Sequence, residues 1–297
     1  MNNNIAALIL TKNEEIHIDR CIQSIKNLVS EIYVIDSGSN DKTKEICARH
    51  SVNFFYKKFY NHSNQFNWGL NIIRNKNFQW LLKIDADEIL TPKLINEIKI
   101  AINNIDDDVS GLAIKRKIIF NNKILNFGGT SSKQLRIFKP NLGFCESKFM
   151  DEHIKIKGKV KFLREPFFDH NLKSLSWWTQ KHNDYSNREV IDNLVLNKNI
   201  SLENGSLSNN NKIKRFLKNS LYYKLPIFIR PFLYFFFRYI ILLGFLDGQS
   251  GLIYNFLQGF WYRFLIDVKI VELKEYSKTH KINLISSAKK VFDLDLN

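Results

Sequence analysis

Ile84-Asp85-Ala86-Asp87-Glu88 sets two carboxylates one small residue apart, directly after the apolar run Trp80-Leu81-Leu82. In an extended segment alternate residues share a side, so Asp85 and Asp87 are expected to converge on one hard cation. Mg²⁺ or Mn²⁺ prefers oxygen ligands and takes one or two protein carboxylates, which leaves positions open for phosphate oxygens. The triplet reads equally as a polar strand end followed by a helix cap. A second feature is Gln134-Leu135-Arg136, whose guanidinium suits bidentate contact with a phosphate. A third runs from Trp177 and Trp178 through His182 to Tyr185. Aromatics mixed with polar groups suit a sugar, which is held by stacking and hydrogen bonds, or they are simply helix-packing residues.

Elements that alternate in period position these groups. Ile5 to Leu10 is a continuous apolar run, expected as a buried strand. Asn13 is placed to cap the following helix, in which Ile18, Cys21, Ile22, Ile25 and Leu28 recur at helical spacing. Ile32 to Ile35 reads as a strand ending at Asp36, and Asp41 is placed to cap a helix through Arg49. Val52 to Tyr56 and Gln79 to Ile84 read as further strands, with Phe66 to Asn75 as a helix between them. Strands separated by helices predict an α/β protein with a mostly parallel central sheet flanked by helices. Ligands of such sheets bind beyond the carboxyl ends of the strands, where Asp36 and Asp85 both fall. From Gly111 to Phe168 the expectation is short extended runs, with turns at Gly128-Gly129 and Pro140-Asn141.

The chain has 297 residues and a formal charge of +15, which favours polyanionic partners: nucleic acid, anionic lipid or phosphorylated small molecules. Its aromatic content of 13% excludes a disordered chain. Cys21, Cys47 and Cys145 lie far apart without a CxxC spacing, so no zinc site or disulfide framework is indicated and a reducing cytosol fits. The first residues lack the basic start of a secretory signal, so export is not expected.

The segments ALILTKNEE (6–14), VIDSGSND (34–41) and WLLKIDADE (80–88) stand in order at separations that resemble glycosyltransferase family 2 with its GT-A fold. The resemblance covers roughly residues 5–195. It implies that Thr11, Glu14 and Asp36 belong to the nucleobase and ribose pocket, with Gln65 and Asn67 lining it. It implies that Asp85 touches the ribose and that Asp87 with Asp85 holds a divalent metal, Mn²⁺ or Mg²⁺; the guanidinium of Arg136 is then expected against the diphosphate. Inverting transfer needs a base for the acceptor hydroxyl, and Phe149-Met150-Asp151-Glu152-His153 resembles the motif that supplies it. Glu152 and Asp151 are the candidates, with Glu152 preferred and His153 a further metal or diphosphate ligand. Trp177, Trp178, His182 and Tyr185 are then the acceptor-binding set.

Residues 1–196 are expected as the transferase domain, 197–211 as a polar linker or loop, and 212–297 as an aromatic, basic helical extension. Pro226, Pro231, Arg230, Arg238 and Asp247 interrupt its apolar run, and a spanning helix needs about 20 mostly apolar residues, so spanning is not expected. Aromatics interleaved with Lys214, Arg215, Lys218, Lys224, Arg230 and Arg238 instead predict peripheral contact with anionic lipid, against an aromatic core with a basic rim. Gly244-Phe245-Leu246-Asp247-Gly248 resembles a segment of bacterial members that build lipopolysaccharide core or exopolysaccharide at the cytoplasmic face of the inner membrane. The partners this implies are a nucleotide-sugar donor, UDP by resemblance, and a glycan or lipid-linked acceptor. Nucleic acid is not expected. The competing readings are a basic membrane- or nucleic-acid-binding module and a sugar nucleotidyltransferase. The latter would carry a glycine-rich loop where Thr11-Lys12-Asn13-Glu14-Glu15 has none.

Overall fold

A computed structural model describes residues 4–146, 153–191, 193–194 and 222–293. The described residues form two compact units: one of 4–126, 130–146 and 153–173, the other of 127–129 and the described residues from 174 onward. That division after Lys173 lies ahead of the boundary at 196 read from sequence. The expected linker 197–211 and Lys214, Arg215 and Lys218 lie outside the described residues.

The first unit is the expected α/β sheet. Strands β1 (Ile5–Thr11), β2 (Glu31–Asp36), β3 (Asn53–Tyr56) and β4 (Trp80–Lys83) form a parallel half in the order β3-β2-β1-β4. The sheet continues antiparallel into β8 (Ser132–Phe138), then β6 (Val109–Phe120) and β11 (Lys159–Asp169), which are parallel to each other. A two-residue strand, β5 (Glu88–Ile89), closes the far edge antiparallel to β11. Helices cover both faces, and alternate strand residues serve alternate faces. Ile5, Ala7, Ile9, Leu82 and Ile84 pack with α1 (Ile18–Ile25) and α4 (Pro92–Asn103). Ala6, Leu8, Tyr33 and Ile35 pack with Phe66, Leu70 and Ile73 of α3 (His62–Arg74). Both faces being covered is why β1 is apolar without interruption. Gly69 lets α3 sit close, since a Cβ there would stand 2.8 Å from both Leu8 and Ile35.

Local expectations fail where side chains find other partners. Asn13 does not cap α1: its φ is +54°, its Oδ1 accepts from the Asn40 backbone N–H at 2.8 Å, and a turn over Glu14–His17 delays the helix to Ile18. The N-cap of α2 (Thr43–Arg49) is Lys42 rather than Asp41, which stands one residue earlier and accepts from the Thr43 N–H at 3.0 Å. Helix α3 starts four residues before the expected Phe66, because the Asn61 side chain caps it at Asn64 N. The region expected as short runs contains two of the longest strands, β6 and β11.

The second unit is helical: α5 (Leu175–Ile191), α6 (Arg230–Phe236) continuing as a π-helical segment (Phe237–Ile241), α7 (Gly248–Asn255), a second π segment (Phe256–Trp261), α8 (Tyr262–His280) and α9 (Leu284–Phe292). Its core joins Val190 and Ile191 of α5 to Tyr262, Ile266, Ile270 and Leu273 of α8 and Ala288 of α9. The turn at Gly128-Gly129 is present, with φ of +65° and +66°.

Candidate active site

The parallel half brings Thr11, Asp36 and the chain after Lys83 to the carboxyl ends of three adjacent strands, with β1 in the middle and Thr11 in register with Asp36. Thr11 Oγ1 donates to Asp36 Oδ2 at 2.9 Å. Asp36 also accepts from the N–H groups of Gly38 and Ser39, each at 2.8 Å, and from Ser39 Oγ at 2.5 Å. A carboxylate has about four lone-pair positions, and these four bonds fill them. Asp36 therefore folds the Ser37–Ser39 turn, where Gly38 has a φ of +95°, and has no acceptor site left for a ribose.

Glu14 sits beside this turn. Its Oε2 meets His17 Nδ1 at 2.5 Å and its Oε1 accepts from Lys173 Nζ at 2.8 Å. His17 Nε2 accepts the Leu172 N–H at 2.8 Å, which leaves the ring proton on Nδ1, facing Glu14. Burial raises the Glu14 carboxyl, but the His17 and Lys173 contacts outweigh it and hold the group below its usual value.

The acidic triplet is a turn rather than the extended segment expected: the Glu88 N–H donates to the Asp85 carbonyl at 2.9 Å. The two Asp side chains consequently meet different partners. Asp85 faces Lys83 Nζ at 3.5 Å and Arg136 Nη2 at 3.4 Å, and its backbone N–H donates to Glu88 Oε2 at 2.9 Å. Asp87 Oδ2 accepts from Asn171 Nδ2 at 2.9 Å, while Arg20 and the His170 N–H reach the Asp87 carbonyl.

Glu88, 2% exposed, forms a tight ion pair with Arg136, whose guanidinium lies 4.8 Å from the Phe167 ring centre. The β5–β11 register sets Asp169 opposite Glu88, with Arg116 Nη1 3.5 Å from its Oδ2. Asp85, Glu88 and Asp169 thus crowd around Arg136. Burial pushes Glu88 up to about 8 against the pull of Arg136, with Asp85 and Asp169 adding repulsion. Burial and then Asp87 push Asp169 up to about 7. Burial also disfavours the Asp85 anion, but Lys83, Arg136 and His62 overcome it and hold that carboxyl well below its usual range. A cation bound beside these carboxyls would favour their ionised forms.

Among the described residues no three His, Cys, Asp or Glu side chains converge on one point. An ion bound through one or two carboxylates and phosphate oxygens does not need three. Asp87 Oδ1 carries no hydrogen bond among the described residues and Asp85 is held only by long ion pairs, so these two residues fit a hard-cation donor set.

Other expected site residues are engaged elsewhere. Gln65 is buried and donates to the Ile35 carbonyl at 3.1 Å. The Asn67 amide pairs with the backbone of Cys145 in both directions, at 2.8 and 2.9 Å, pinning β9 (Gly143–Cys145). Both are explained as α3 contacts to backbone. Asp151 and Glu152 lie outside the described residues. His153 is exposed, and its carbonyl accepts from the Glu146 N–H at 3.1 Å just before β10 (Ile154–Ile156).

On α5, Trp178 stacks on His182 with ring centres 3.5 Å apart, and His182 meets the Tyr262 ring edge-on at 5.4 Å. Gln258 Nε2 lies 2.6 Å from His182 Nε2. Burial drives His182 down to about 4, so it is neutral and its packing role is direct. Tyr185 joins it edge-on at 5.8 Å, and Trp177 lies under Lys181 Nζ at 4.6 Å.

Sequence reasoning missed His17, Arg20, Glu88, Asp169, Asn171 and Lys173. The i, i+3 spacing of Glu14 and His17 was a readable signal. The remaining pairings join residues 48 to 159 positions apart and leave no local trace.

The sequence profile described as glycosyl transferase family 2 matches residues 7–150. An uncharacterized glycosyltransferase of Rickettsia conorii is 26% identical over 221 residues, covering 68% of this chain and 74% of that protein. The lipopolysaccharide core biosynthesis glycosyltransferase LpsC of Rhizobium meliloti is 26% identical over 270 residues, covering 85% and 89%. The crystal structure of S. aureus TarS 1-349 is 13% identical, covers 93% of this chain and 91% of that one, and superposes with a TM-score of 0.42, a likeness too distant to bear on activity.

Proposed function

Because this chain belongs to glycosyl transferase family 2 through residues 7–150, we propose that it moves a sugar from a nucleotide-sugar donor, a UDP-sugar by family resemblance, to a hydroxyl of a glycan or lipid-linked acceptor, with inversion. The observation that carries the reading is that the carboxyl ends of adjacent parallel strands β2, β1 and β4 carry Asp36 and lead directly into Glu14 and the Asp85–Asp87 turn, beside the carboxyl cluster around Arg136.

In this reading Asp87, with Asp85, holds a divalent ion, Mn²⁺ or Mg²⁺, which supplies Lewis-acid neutralisation of the leaving diphosphate. Asn171 fixes the Asp87 rotamer. Arg136 and Lys83 set the charge on Asp85, and Arg136 acts on the donor through that carboxylate. Glu14, held by His17 and Lys173, presents a fixed anion to the nucleoside, and Asp36 acts through the turn it folds. Glu152, or Asp151 beside it, removes the acceptor proton, with His153 next to them. Trp177 is the α5 aromatic whose environment best suits an acceptor sugar.

The likeness to LpsC along most of both chains supports a role in cell-envelope polysaccharide or lipopolysaccharide synthesis; the place proposed for it is the cytoplasmic face of the bacterial inner membrane. Transfer belongs to the sheet and lipid contact to the region beyond residue 212.

The test is slow hydrolysis of a panel of sugar nucleotides with and without Mn²⁺, together with tryptophan fluorescence on UDP addition. Metal-dependent hydrolysis that disappears in Asp87→Ala with an unchanged circular dichroism spectrum is expected. Full activity in that variant overturns the metal assignment, and tight metal-independent RNA binding overturns the enzyme reading.

A further inference from the structure

Between Arg230 and Arg263 the chain carries two charged residues, Arg238 and Asp247, and both are buried. Arg238 Nε donates to the Gly128 carbonyl at 2.8 Å, and Asp247 Oδ2 accepts from the Phe127 N–H at 2.9 Å. Arg230 is buried as well, with its guanidinium on Asp267. The large apolar side chains face outward instead: Phe232, Phe236, Phe237, Ile240, Ile241 and Leu246 are 41% to 57% exposed. Over residues 230–247 the usual pattern is reversed, with the charges satisfied within and hydrocarbon at the surface.

The distribution around the bend identifies what covers it. Residues 240–243 and 245–246 are all exposed and all apolar, and they cover the end of the π-helical segment, the turn after it and the short 3-10 segment Gly244–Asp247. A helix docked on a protein partner shows one apolar stripe, whereas here the arm Arg230–Ile241 and the turn after it expose only apolar side chains, which suits hydrocarbon. The helical runs Arg230–Ile241 and Gly244–His280 meet at a 70° bend, and no single helix among the described residues is long and apolar enough to cross a membrane.

Backbone polar groups that enter hydrocarbon must be satisfied internally, and several of the bend's groups are. The N–H groups of Leu242, Leu243 and Leu246 donate to the carbonyls of Phe237, Ile240 and Leu243 at 2.9 to 3.1 Å, and the Leu242 carbonyl accepts the Gly128 N–H at 2.8 Å. Gly128 is required there, because a Cβ would stand 2.6 Å from Asn255 Oδ1.

We infer that residues 240–246 form the tip of a re-entrant helical hairpin that enters the hydrocarbon of a bilayer. The inference rests on the membrane contact proposed above and changes its physical basis. Arg230 and Arg238 were expected to reach anionic headgroups, but they face inward, so apolar burial at the tip drives attachment.

The test is flotation of the full chain with vesicles of phosphatidylcholine alone and of phosphatidylcholine mixed with phosphatidylglycerol. Binding to both is expected, persisting in molar NaCl, where the Debye length is about 3 Å. The double variant Ile241→Glu, Leu246→Glu should lower the bound fraction at least tenfold with an unchanged circular dichroism spectrum. Should that variant misfold, Leu246→Cys carrying a polarity-sensitive dye reads the same point, since Cys21, Cys47 and Cys145 are buried; its emission should shift blue on neutral vesicles and be quenched by brominated lipid. Binding confined to anionic vesicles and released by salt overturns the inference. So does a lipid-free dimer that the double variant converts to monomer without affecting flotation. The assay contains no sugar nucleotide, so failure of the transfer reading leaves it unmoved.

Discussion

Asn171 donates to Asp87 Oδ2 at 2.9 Å across 84 positions of sequence, and two residues later Lys173 reaches Glu14. The four residues after β11 therefore hold both acidic motifs at once. Removing the Asn171 amide leaves Asp87 free to rotate away from a cation. Outer partners of metal ligands typically contribute 10–100-fold in affinity, so Asn171→Ala should weaken the Mn²⁺ midpoint for UDP binding about tenfold, measured by calorimetry. An unchanged midpoint would remove Asn171 from the positioning role.

Arg136 is the buried counter-charge of Glu88. Truncating one member of a buried ion pair costs about 3–5 kcal/mol because the other charge is stranded. Arg136→Leu should lower the unfolding free energy by that order above pH 8, where Glu88 is ionised, and by less at pH 6, where it holds a proton; urea denaturation reads both, and adding Glu88→Gln should recover a large part of the loss at the higher pH. Strict additivity of the two would show that they do not share one interaction.

Glu88 and Asp169 give a pH dependence of definite sign. Their folded values, about 8 and about 7, lie above the unfolded carboxyl values, so the native state binds more protons across that interval. The associated stability is complete below about pH 4 and is lost as pH rises through 7 and 8. Chemical denaturation between pH 5 and 9 should show this falling contribution, and Asp169→Asn should flatten it. Mn²⁺ with UDP should flatten it too, by supplying the missing positive charge.

Glu14 behaves in the opposite sense. Its folded value is lowered, so its contribution is present above its unfolded value and is lost as pH falls through the folded one. Lys173→Met removes one of the two groups that hold it down. The variant should lose about 2 kcal/mol at neutral pH, the size of a hydrogen bond to a charged group, with the difference from wild type shrinking toward pH 3. A loss of equal size at pH 3 would contradict the pairing.

His182 separates packing from acceptor binding. Its ring stacks on Trp178, meets Tyr262 and is neutral above its depressed value of about 4. His182→Ala should lower stability by about 2 kcal/mol from lost aromatic pairs and leave the acceptor KM unchanged. A raised KM with unchanged stability would restore it to the acceptor set.

The sequence by itself determined the layered α/β order, the strand ends that carry Asp36 and Asp85, and the turns at Asp41 and Gly128-Gly129. These depend on periodicity and on hydrogen bonds between near neighbours, which a linear pattern records. Tertiary structure alone decided which carboxylates share Arg136, why Asp36 has no lone pair to offer, and that the amides of Gln65 and Asn67 serve backbone. It also decided that Arg230 and Arg238 face inward while the phenylalanines between them face out. Each of those outcomes depends on which distant strand or helix a side chain meets, and the burial and charge it finds there are properties of the folded neighbourhood rather than of the residue.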